Sequence, residues 1–219
     1  MATLHSKTTA RATGLLYLAL AVAGAAGFLT IRPILFEAGD PAATLAHLTD
    51  HLALARTGVV LELLVVLTQA LAAAGFYRLY RESHPVNAAG IAAFGLVNSV
   101  AILVSAAMLG AAVEIADQPF GDAAGNVQLL YLVSGHLWTV GGIFFGLWLI
   151  PMGFCVSGAL RWLLVVGGAG YVLSSFASYV LPAAADVLVV PATIGELWMI
   201  GYLLVRAPAV HLDLVASGR

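Results

Sequence analysis

Charged residues and cysteine are both scarce in this sequence, and each shortage excludes whole classes of protein. Only 9% of the 219 residues are Asp, Glu, Lys or Arg, whereas a soluble domain carries about 25%. The surface is therefore not built to face water. The single cysteine, Cys155, excludes an internal disulfide, a zinc site of paired cysteines and dithiol redox chemistry within one chain. The net charge of −2 argues against nucleic acid as a partner.

Apolar residues, by contrast, make up 62% of the chain. Runs of about 18 or more apolar residues are long enough to cross a bilayer as a helix. Six such runs account for nearly the whole sequence: residues 13–31, 52–76, 88–113, 127–154, 162–181 and 188–205. We therefore predict an all-α, polytopic membrane protein, with one domain over residues 1–219 and a bundle of six transmembrane helices. The first run is expected to be a retained helix rather than a signal peptide, because five further runs follow it.

The basic residues indicate an orientation. Seven of the nine fall on one side when six crossings are drawn: Lys7, Arg11, Arg78, Arg81, Arg161, Arg206 and Arg219. The loops on the other side are acidic and carry Arg32 as their only base. Because basic loops stay in the cytoplasm, we predict a protein of the inner, cytoplasmic membrane whose N and C termini are both cytoplasmic.

The first loop on the outer side contains a signal for the start of a helix. Asp40 followed by Pro41 is typical of an N-cap with proline at the first helical position. Leu45 and Leu48 then supply an apolar face. We predict a short amphipathic helix that lies on the outer surface of the membrane before the second span.

Four spans carry a polar side chain near the middle of the bilayer. Counted at about 1.5 Å per residue from the ends of the runs, Glu62, Asn98, His136 and Glu196 lie at similar depths. A charged side chain there costs roughly 2.5–3.5 kcal/mol on insertion scales, so such groups turn inward, find partners or take up a proton. We predict that Glu62, His136 and Glu196 face the bundle interior as one proton-transfer layer, close enough for direct or one-water contacts.

Other side chains are candidates for binding a ligand beside this layer. Arg56 points away from Glu62 on an ideal helix, so it is expected to reach a carboxylate on another helix. Gln69 shares the face of Glu62, and several aromatic rings can line an apolar pocket. The predicted ligand-binding set is Arg56, Asn98, Gln69, Trp138, Trp198 and Tyr202. Within the six runs no His-x-x-x-His or Glu-x-x-His spacing occurs, so we predict no metal site and no cofactor.

A structural explanation stays open for each of these residues. A buried glutamate can be protonated and hydrogen-bonded to a neighbouring helix, and a lone histidine, asparagine or glutamine can make a structural hydrogen bond. The functional interpretation is favoured by the coincidence of depth, because two acids, a histidine and an arginine at one level can form an acid–base cluster.

Several segments also resemble a known family. They are ARATGLLYLAL in the first span, GDPAATLAHL in the outer loop, LARTGVVLELL, GHLWTVGGIFFGLWLIPMGFCVSG, GGAGYVLSSFASYVLP and, at the end, GELWMIGYLLVR. Over nearly its full length the chain resembles the bacterial six-span membrane family named for domain of unknown function 4386. The resemblance implies a fold and a location in the membrane, and it brings no reaction with it. Arg56, Glu62, His136 and Glu196 all fall within the matching segments.

Three functions stay open from the residues. A protonated glutamate in a dry pocket can start an isomerisation or cyclisation of a polyprenyl-like chain. Glu62 and Glu196 can instead bind and release the proton of a carrier, although the lack of a visible inverted repeat and of broken helices counts against this. The third is a binding, sensing or structural protein. We predict a buried acid–base pocket for a small lipophilic molecule, with the bilayer and that ligand as partners and a homodimer left open.

Overall fold

The structure, a computed structural model, describes residues 2–205, and side chains from residue 7 onward. Over that range the chain is helical, without a strand, and six helical segments are long and apolar enough to cross a membrane. The spans are Lys7–Leu35, Leu52–Tyr80, Pro85–Asp117, Ala123–Phe154, Gly158–Val180 and Pro182–Val205. The predicted all-α bundle of six transmembrane helices is confirmed, while its division into domains stays a prediction.

The six spans form a closed ring in which neighbours in sequence are neighbours in space. Each span packs against the next one along the chain, and the sixth packs against the first. Gly14, near the start of the first span, lies against Leu203, near the end of the sixth. Residues 2 and 205 therefore lie at the same end of the bundle, here called the near end. The opposite end is called the distal end.

The lipid-facing surface of the bundle is apolar, as a bilayer requires. Leu63, Leu67 and Leu71 recur every four residues along the second span, and all three are exposed. Leu96, Val100 and Leu103 form a similar exposed stripe on the third span. Several polar side chains are instead turned toward the interior and buried, namely Thr13, Thr68, Gln69, Asn98, Ser99, Ser105, Ser134 and Ser175.

The first span continues beyond the apolar run that predicts it. Helix α1, Ala2–Gly24, passes into a π-helical segment, Ala25–Ile31, and then into a helical turn, Arg32–Leu35. Arg32 therefore lies inside a span, and its assignment to an outer loop is wrong. Counting apolar residues ends a span at the first charge, but a helix continues past a charged residue whose side chain finds partners inside the protein.

The predicted helix after Asp40 is present as Pro41–Asp50, and its N-cap is confirmed. The Ala43 amide donates to Asp40 Oδ1 at 2.9 Å, and Pro41 occupies the first turn. The helix packs on the fourth span and caps the distal end of the bundle, while its position relative to the membrane surface stays a prediction. The packing buries the inner face of the helix: Leu48 is fully buried, and Thr44 Oγ1 donates to Gln128 Oε1 of the fourth span at 2.8 Å.

Two spans depart locally from a regular α-helix. The first contains the π-helical segment Ala25–Ile31, and the sixth consists of Pro182–Leu188 and Val190–Val205 joined at Val189, whose φ of −89° and ψ of −10° are helical. Both still run as single helices long enough to cross a membrane. The fifth and sixth spans approach closely, because a Cβ at Gly167 would overlap the backbone of Ala192 and one at Gly170 would overlap the Leu188 carbonyl. Small residues permit this backbone contact in a membrane helix pair.

Candidate functional site

Two polar regions lie inside the bundle, and each contains one glutamate. The first is the Glu62 cluster, which consists of Arg32, Glu62, Ser105, Ser134 and Trp138. Trp138 Nε1 donates a hydrogen bond to Glu62 Oε1 at 2.9 Å. Arg32 Nη1 donates to Ser134 Oγ at 3.1 Å, and the hydroxyls of Ser105 and Ser134 are 2.7 Å apart. These bonds join the first, second, third and fourth spans.

Arg32 is held in this cluster by more than one kind of interaction. Its Nη2 donates to the Tyr131 carbonyl, and its guanidinium carbon lies 5.3 Å from the Phe28 ring centre and 5.6 Å from that of Tyr131. The π-helical segment ends directly before Arg32, and single π-helical turns are frequent at functional positions in helices. Arg32 is thereby turned toward the fourth span and lines the same small cavity as Glu62.

There is little free space around Glu62. The carboxyl is buried at 5% exposure, and the adjoining cavity measures about 20 Å³, which is room for about one water molecule. Glu62 Oε2 makes no hydrogen bond with the protein residues that the structure describes. The cluster thus couples four spans through a largely satisfied network with no room for an organic ligand.

The second region is the Glu196 cavity, which lies at the centre of the bundle and measures about 170 Å³. All six spans contribute to its wall. The lining residues are Tyr17, Leu20, Ala21, Gly24, Val65, Gln69, Asn98, Ile102, Trp138, Gly142, Phe145, Tyr171 and Glu196. Most of this wall is apolar or aromatic, and its polar groups come from five different spans.

Three polar atoms in this wall have no hydrogen-bond partner among the described residues. They are the Tyr17 hydroxyl, Gln69 Nε2 and Glu196 Oε1, and each atom is buried. The other polar atom of the Gln69 side chain is paired, because Asn98 Nδ2 donates a hydrogen bond to Gln69 Oε1 at 3.0 Å. The hydroxyls of Tyr17 and Tyr171 lie beside the Glu196 carboxyl without completing a hydrogen bond to Oε1. Buried polar atoms are mostly paired, and three of the eight unpaired ones in the described side chains line this one cavity.

The sequence matches a known protein family over most of its length. Residues 12–207 match the family described as a domain of unknown function (DUF4386). The chain belongs to this family. The matched range includes Tyr17, Arg32, Glu62 and Glu196, and therefore both regions. No curated protein and no solved structure matches the chain.

Glu62 and Glu196 of this DUF4386 protein face separate cavities. Glu62 lines the small one and Glu196 the large one, with no lining residue in common. Trp138 lies between them, because it donates to Glu62 and also lines the Glu196 cavity. The prediction of a single layer with direct contacts is wrong. On the first span the Glu62 cavity is lined by residues 27–35 and the Glu196 cavity by residues 17–24, so the two sites also lie at different levels along the bundle.

His136 does not join either region, and the prediction that it faces the interior is wrong. Its side chain is exposed on the outside of the bundle, where Nδ1 lies 3.1 Å from the Tyr179 hydroxyl. The two rings are stacked, with centres 5.9 Å apart. The cause is helix geometry: Trp138 faces inward, and two residues along a helix correspond to a rotation of about 200°.

The remaining predicted ligand-binding residues divide into two groups. Gln69, Asn98 and Trp138 line the Glu196 cavity, whereas Arg56, Trp198 and Tyr202 do not. Arg56 reaches a carboxylate on another helix, as expected, but this is Asp117 at the exposed distal end, at 3.1 Å with side chains 60% and 41% exposed.

Trp198 and Tyr202 lie away from the cavity for different reasons. Trp198 is 49% exposed, because it stands two residues after the inward-facing Glu196. Tyr202 is further toward the near end of the sixth span and packs against the apolar core.

Sequence reasoning missed Arg32 and Tyr17. The signal for Arg32 is the sequence RP directly after an apolar run, because Pro33 is compatible with the first turn of a continuing helix. The signal for Tyr17 is its position four residues after Thr13 and seven before Gly24, which places these residues on one helical face. In the described part of the chain no group of three or more His, Cys, Asp or Glu side chains can hold a metal ion.

Proposed function

We propose that this integral membrane protein binds a small, mostly apolar molecule with one polar group in the Glu196 cavity. The observation that carries the proposal is the convergence of three unpaired polar atoms, from Tyr17, Gln69 and Glu196, on one cavity. Leaving a buried polar group unsatisfied costs about 1–3 kcal/mol. A ligand whose polar group reaches these atoms recovers that free energy, and the rest of the ligand contacts apolar side chains.

The size of the cavity limits the ligand. An apolar cavity of about 150 Å³ in another protein binds benzene, and the Glu196 cavity measures about 170 Å³. The expected occupant is therefore a molecule with a single ring or a short branched chain. Larger lipophilic molecules would require the surrounding helices to move.

Access from the lipid is supported by the course of the first span. Its distal half packs against the second and fourth spans, through the π-helical segment, the Arg32–Ser134 bond and the contact of Phe28 with Trp138. The distal segment of the sixth span, Pro182–Leu188, packs mainly on the fifth span. We propose that a ligand dissolved in the bilayer enters between these two segments, because they pack on different neighbouring spans.

The proposal is tested by filling the cavity. Ala21 lines it, whereas Ala19 is exposed on the lipid face of the same helix. Binding of fluorobenzyl alcohol and fluorotoluene is measured by fluorine NMR on the protein in phosphatidylcholine nanodiscs. We expect Ala21→Phe to weaken binding by about tenfold or more, or about 1.4 kcal/mol, and the control Ala19→Phe to leave it unchanged. Equal binding by both variants would overturn the proposal.

Proton-coupled transport is a second candidate, and the irregular segments of two spans favour it. Carriers commonly place binding sites beside irregular helices, and here the π-helical segment and the Val189 turn lie in the two spans that carry Tyr17 and Glu196. In proteoliposomes with an imposed pH gradient, a carrier would accumulate fluorobenzyl alcohol, which a pH gradient alone does not trap, beyond the level in empty liposomes, and Glu196→Gln would abolish the accumulation. Equilibration of the alcohol to the same level with and without the gradient would leave binding alone.

We also propose that the near end faces the cytoplasm of the cell and that the protein resides in the inner membrane. Lys7, Arg11, Arg78, Arg81 and Arg161 all belong to the near end in the observed topology, and positive residues are enriched in cytoplasmic loops. A reporter fused after Gly218 should be active only in the cytoplasm, and one inserted at Gly121 only outside. The reverse pattern would overturn the orientation.

A further inference from the structure

We infer that the ligand of the Glu196 cavity is a lipophilic amine, whose ammonium group pairs with the Glu196 carboxylate beside Tyr17 and Tyr171. The inference rests on the proposed binding function and specifies the chemical class of its ligand. It follows from the charge of the cavity, from its aromatic wall and from the way in which a proton can be shared between the two partners.

The cavity has an acid and no base. Glu196 is the sole carboxyl among the lining residues, and none of them is lysine, arginine or histidine. Arg32, the base of the Glu62 cluster, lines the other cavity and is bonded to Ser134 and the Tyr131 carbonyl. Ionising Glu196 inside the bundle therefore requires a counter-charge from elsewhere. An anionic ligand would add a second negative charge, whereas an amine supplies the missing positive one.

The aromatic wall also favours a cation. Tyr17, Trp138, Phe145 and Tyr171 all line the cavity, and Phe145 meets Tyr171 edge to face at a centroid distance of 5.1 Å. The faces of such rings attract ammonium groups, most strongly where water is excluded. The apolar part of the ligand would meet Leu20, Val65 and Ile102, which complete the wall.

A shared proton explains how a charged pair can form inside a bilayer. Moving a charge through lipid is unfavourable, so the amine enters in its neutral form and meets the protonated carboxyl. The O–H bond of the Glu196 carboxyl breaks as an N–H bond forms on the amine, and no net charge crosses the membrane. Tyr17 and Tyr171, whose hydroxyls face the carboxyl, then donate hydrogen bonds to the carboxylate.

The Glu62 cluster provides the contrast for this argument. Its carboxyl accepts a hydrogen bond from Trp138 and shares a cavity wall with Arg32, and that cavity of about 20 Å³ excludes any organic amine. Glu62→Gln is therefore the matched control for Glu196→Gln. Both substitutions replace a carboxyl inside the bundle by an amide of the same shape.

Three probes of similar shape test the inference: fluorobenzylamine, fluorobenzyl alcohol and fluorotoluene. Their affinities are measured by fluorine NMR in zwitterionic nanodiscs, with empty nanodiscs to subtract partitioning into lipid. We expect the amine to bind about tenfold or more tightly than the alcohol. This preference should disappear in Glu196→Gln and persist in Glu62→Gln. A preference for the amine that survives Glu196→Gln would overturn the inference.

The outcomes also separate the two proposals. If the alcohol and toluene bind, and Ala21→Phe weakens them, but the amine has no advantage, then the amine inference fails and the binding function stands. If none of the probes binds, both fail. Fluorophenylacetate, tested on the wild-type protein alone, keeps the inference falsifiable should Glu196→Gln fail to fold: binding of this anion as tight as that of the amine would overturn it.

Discussion

Glu62 and Glu196 both lie inside the bundle, yet their surroundings differ in free space and in charge. Around Glu62 the neighbouring helices supply an indole N–H, two serine hydroxyls and a guanidinium, and leave about 20 Å³ of space. Around Glu196 they supply two tyrosine hydroxyls and an otherwise largely apolar wall that encloses about 170 Å³ of space. The same residue type thus belongs to a compact hydrogen-bonded network in one place and lines a larger cavity in the other. What decides the role is the set of groups that the neighbouring helices bring.

The two regions are also held together differently. The Glu62 cluster is joined by side-chain hydrogen bonds between the first four spans. The Glu196 side depends on close backbone packing, with Gly167 and Gly170 of the fifth span against Ala192 and Leu188 of the sixth. Backbone packing positions the sixth span without using its polar side chain. This packing leaves Glu196 Oε1 without a hydrogen-bond partner among the described residues, as the proposed ligand site requires.

The largest effect should come from removing the positive charge of the Glu62 cluster. Arg32→Met leaves the Glu62 carboxylate without its counter-charge and Ser134 without a donor, so we expect a loss of about 3 kcal/mol in the free energy of unfolding. A denaturant titration in detergent, followed by circular dichroism, measures it. Arg56→Met is the control, because the exposed pair with Asp117 contributes about 1 kcal/mol or less. Equal losses in both variants would contradict a structural role for the cluster.

A smaller loss is expected where the fifth and sixth spans touch. In Gly167→Ala the added methyl group overlaps the Ala192 backbone, and overpacking of this kind costs about 1–3 kcal/mol. The shifted sixth span should also weaken binding of fluorobenzyl alcohol in the NMR assay. Gly201→Ala has open space around its Cβ and should retain both stability and binding. Unchanged binding in Gly167→Ala would contradict the expectation that the shape of the cavity depends on this contact between the fifth and sixth spans.

The smallest effect concerns Trp138, which belongs to both regions. Trp138→Phe removes the hydrogen bond to Glu62 Oε1 but keeps an aromatic wall on the cavity. We expect a stability loss of about 1 kcal/mol and nearly unchanged affinity for fluorobenzyl alcohol. The exposed Trp198 serves for comparison, and Trp198→Phe should change stability by about 0.5 kcal/mol or less. A large loss of affinity with no loss of stability would reverse the assignment of the Trp138 indole N–H to the Glu62 cluster.

Hydropathy is sufficient to predict the six spans, because the bilayer imposes a minimum apolar length on each of them. The N-cap at Asp40 is likewise local chemistry. The direction in which an individual side chain points cannot be predicted in the same way, because lipid and protein interior are both largely apolar and leave only a weak amphipathic pattern. Nothing in the sequence distinguishes inward Trp138 from outward His136, and Arg32 is hidden because its partners lie on the distant fourth span. The two cavities arise from long-range packing, which a hydropathy pattern does not contain.

The central claim is that the ligand site lies at Glu196 and not at Glu62. Anomalous diffraction from crystals soaked in bromobenzylamine tests it most directly, because the bromine position identifies the cavity without reference to affinity. The account predicts a single strong bromine peak among Leu20, Val65 and Ile102, with the amine directed at the Glu196 carboxyl. A peak beside Arg32 and Glu62, or peaks only on the lipid-facing surface, would contradict it.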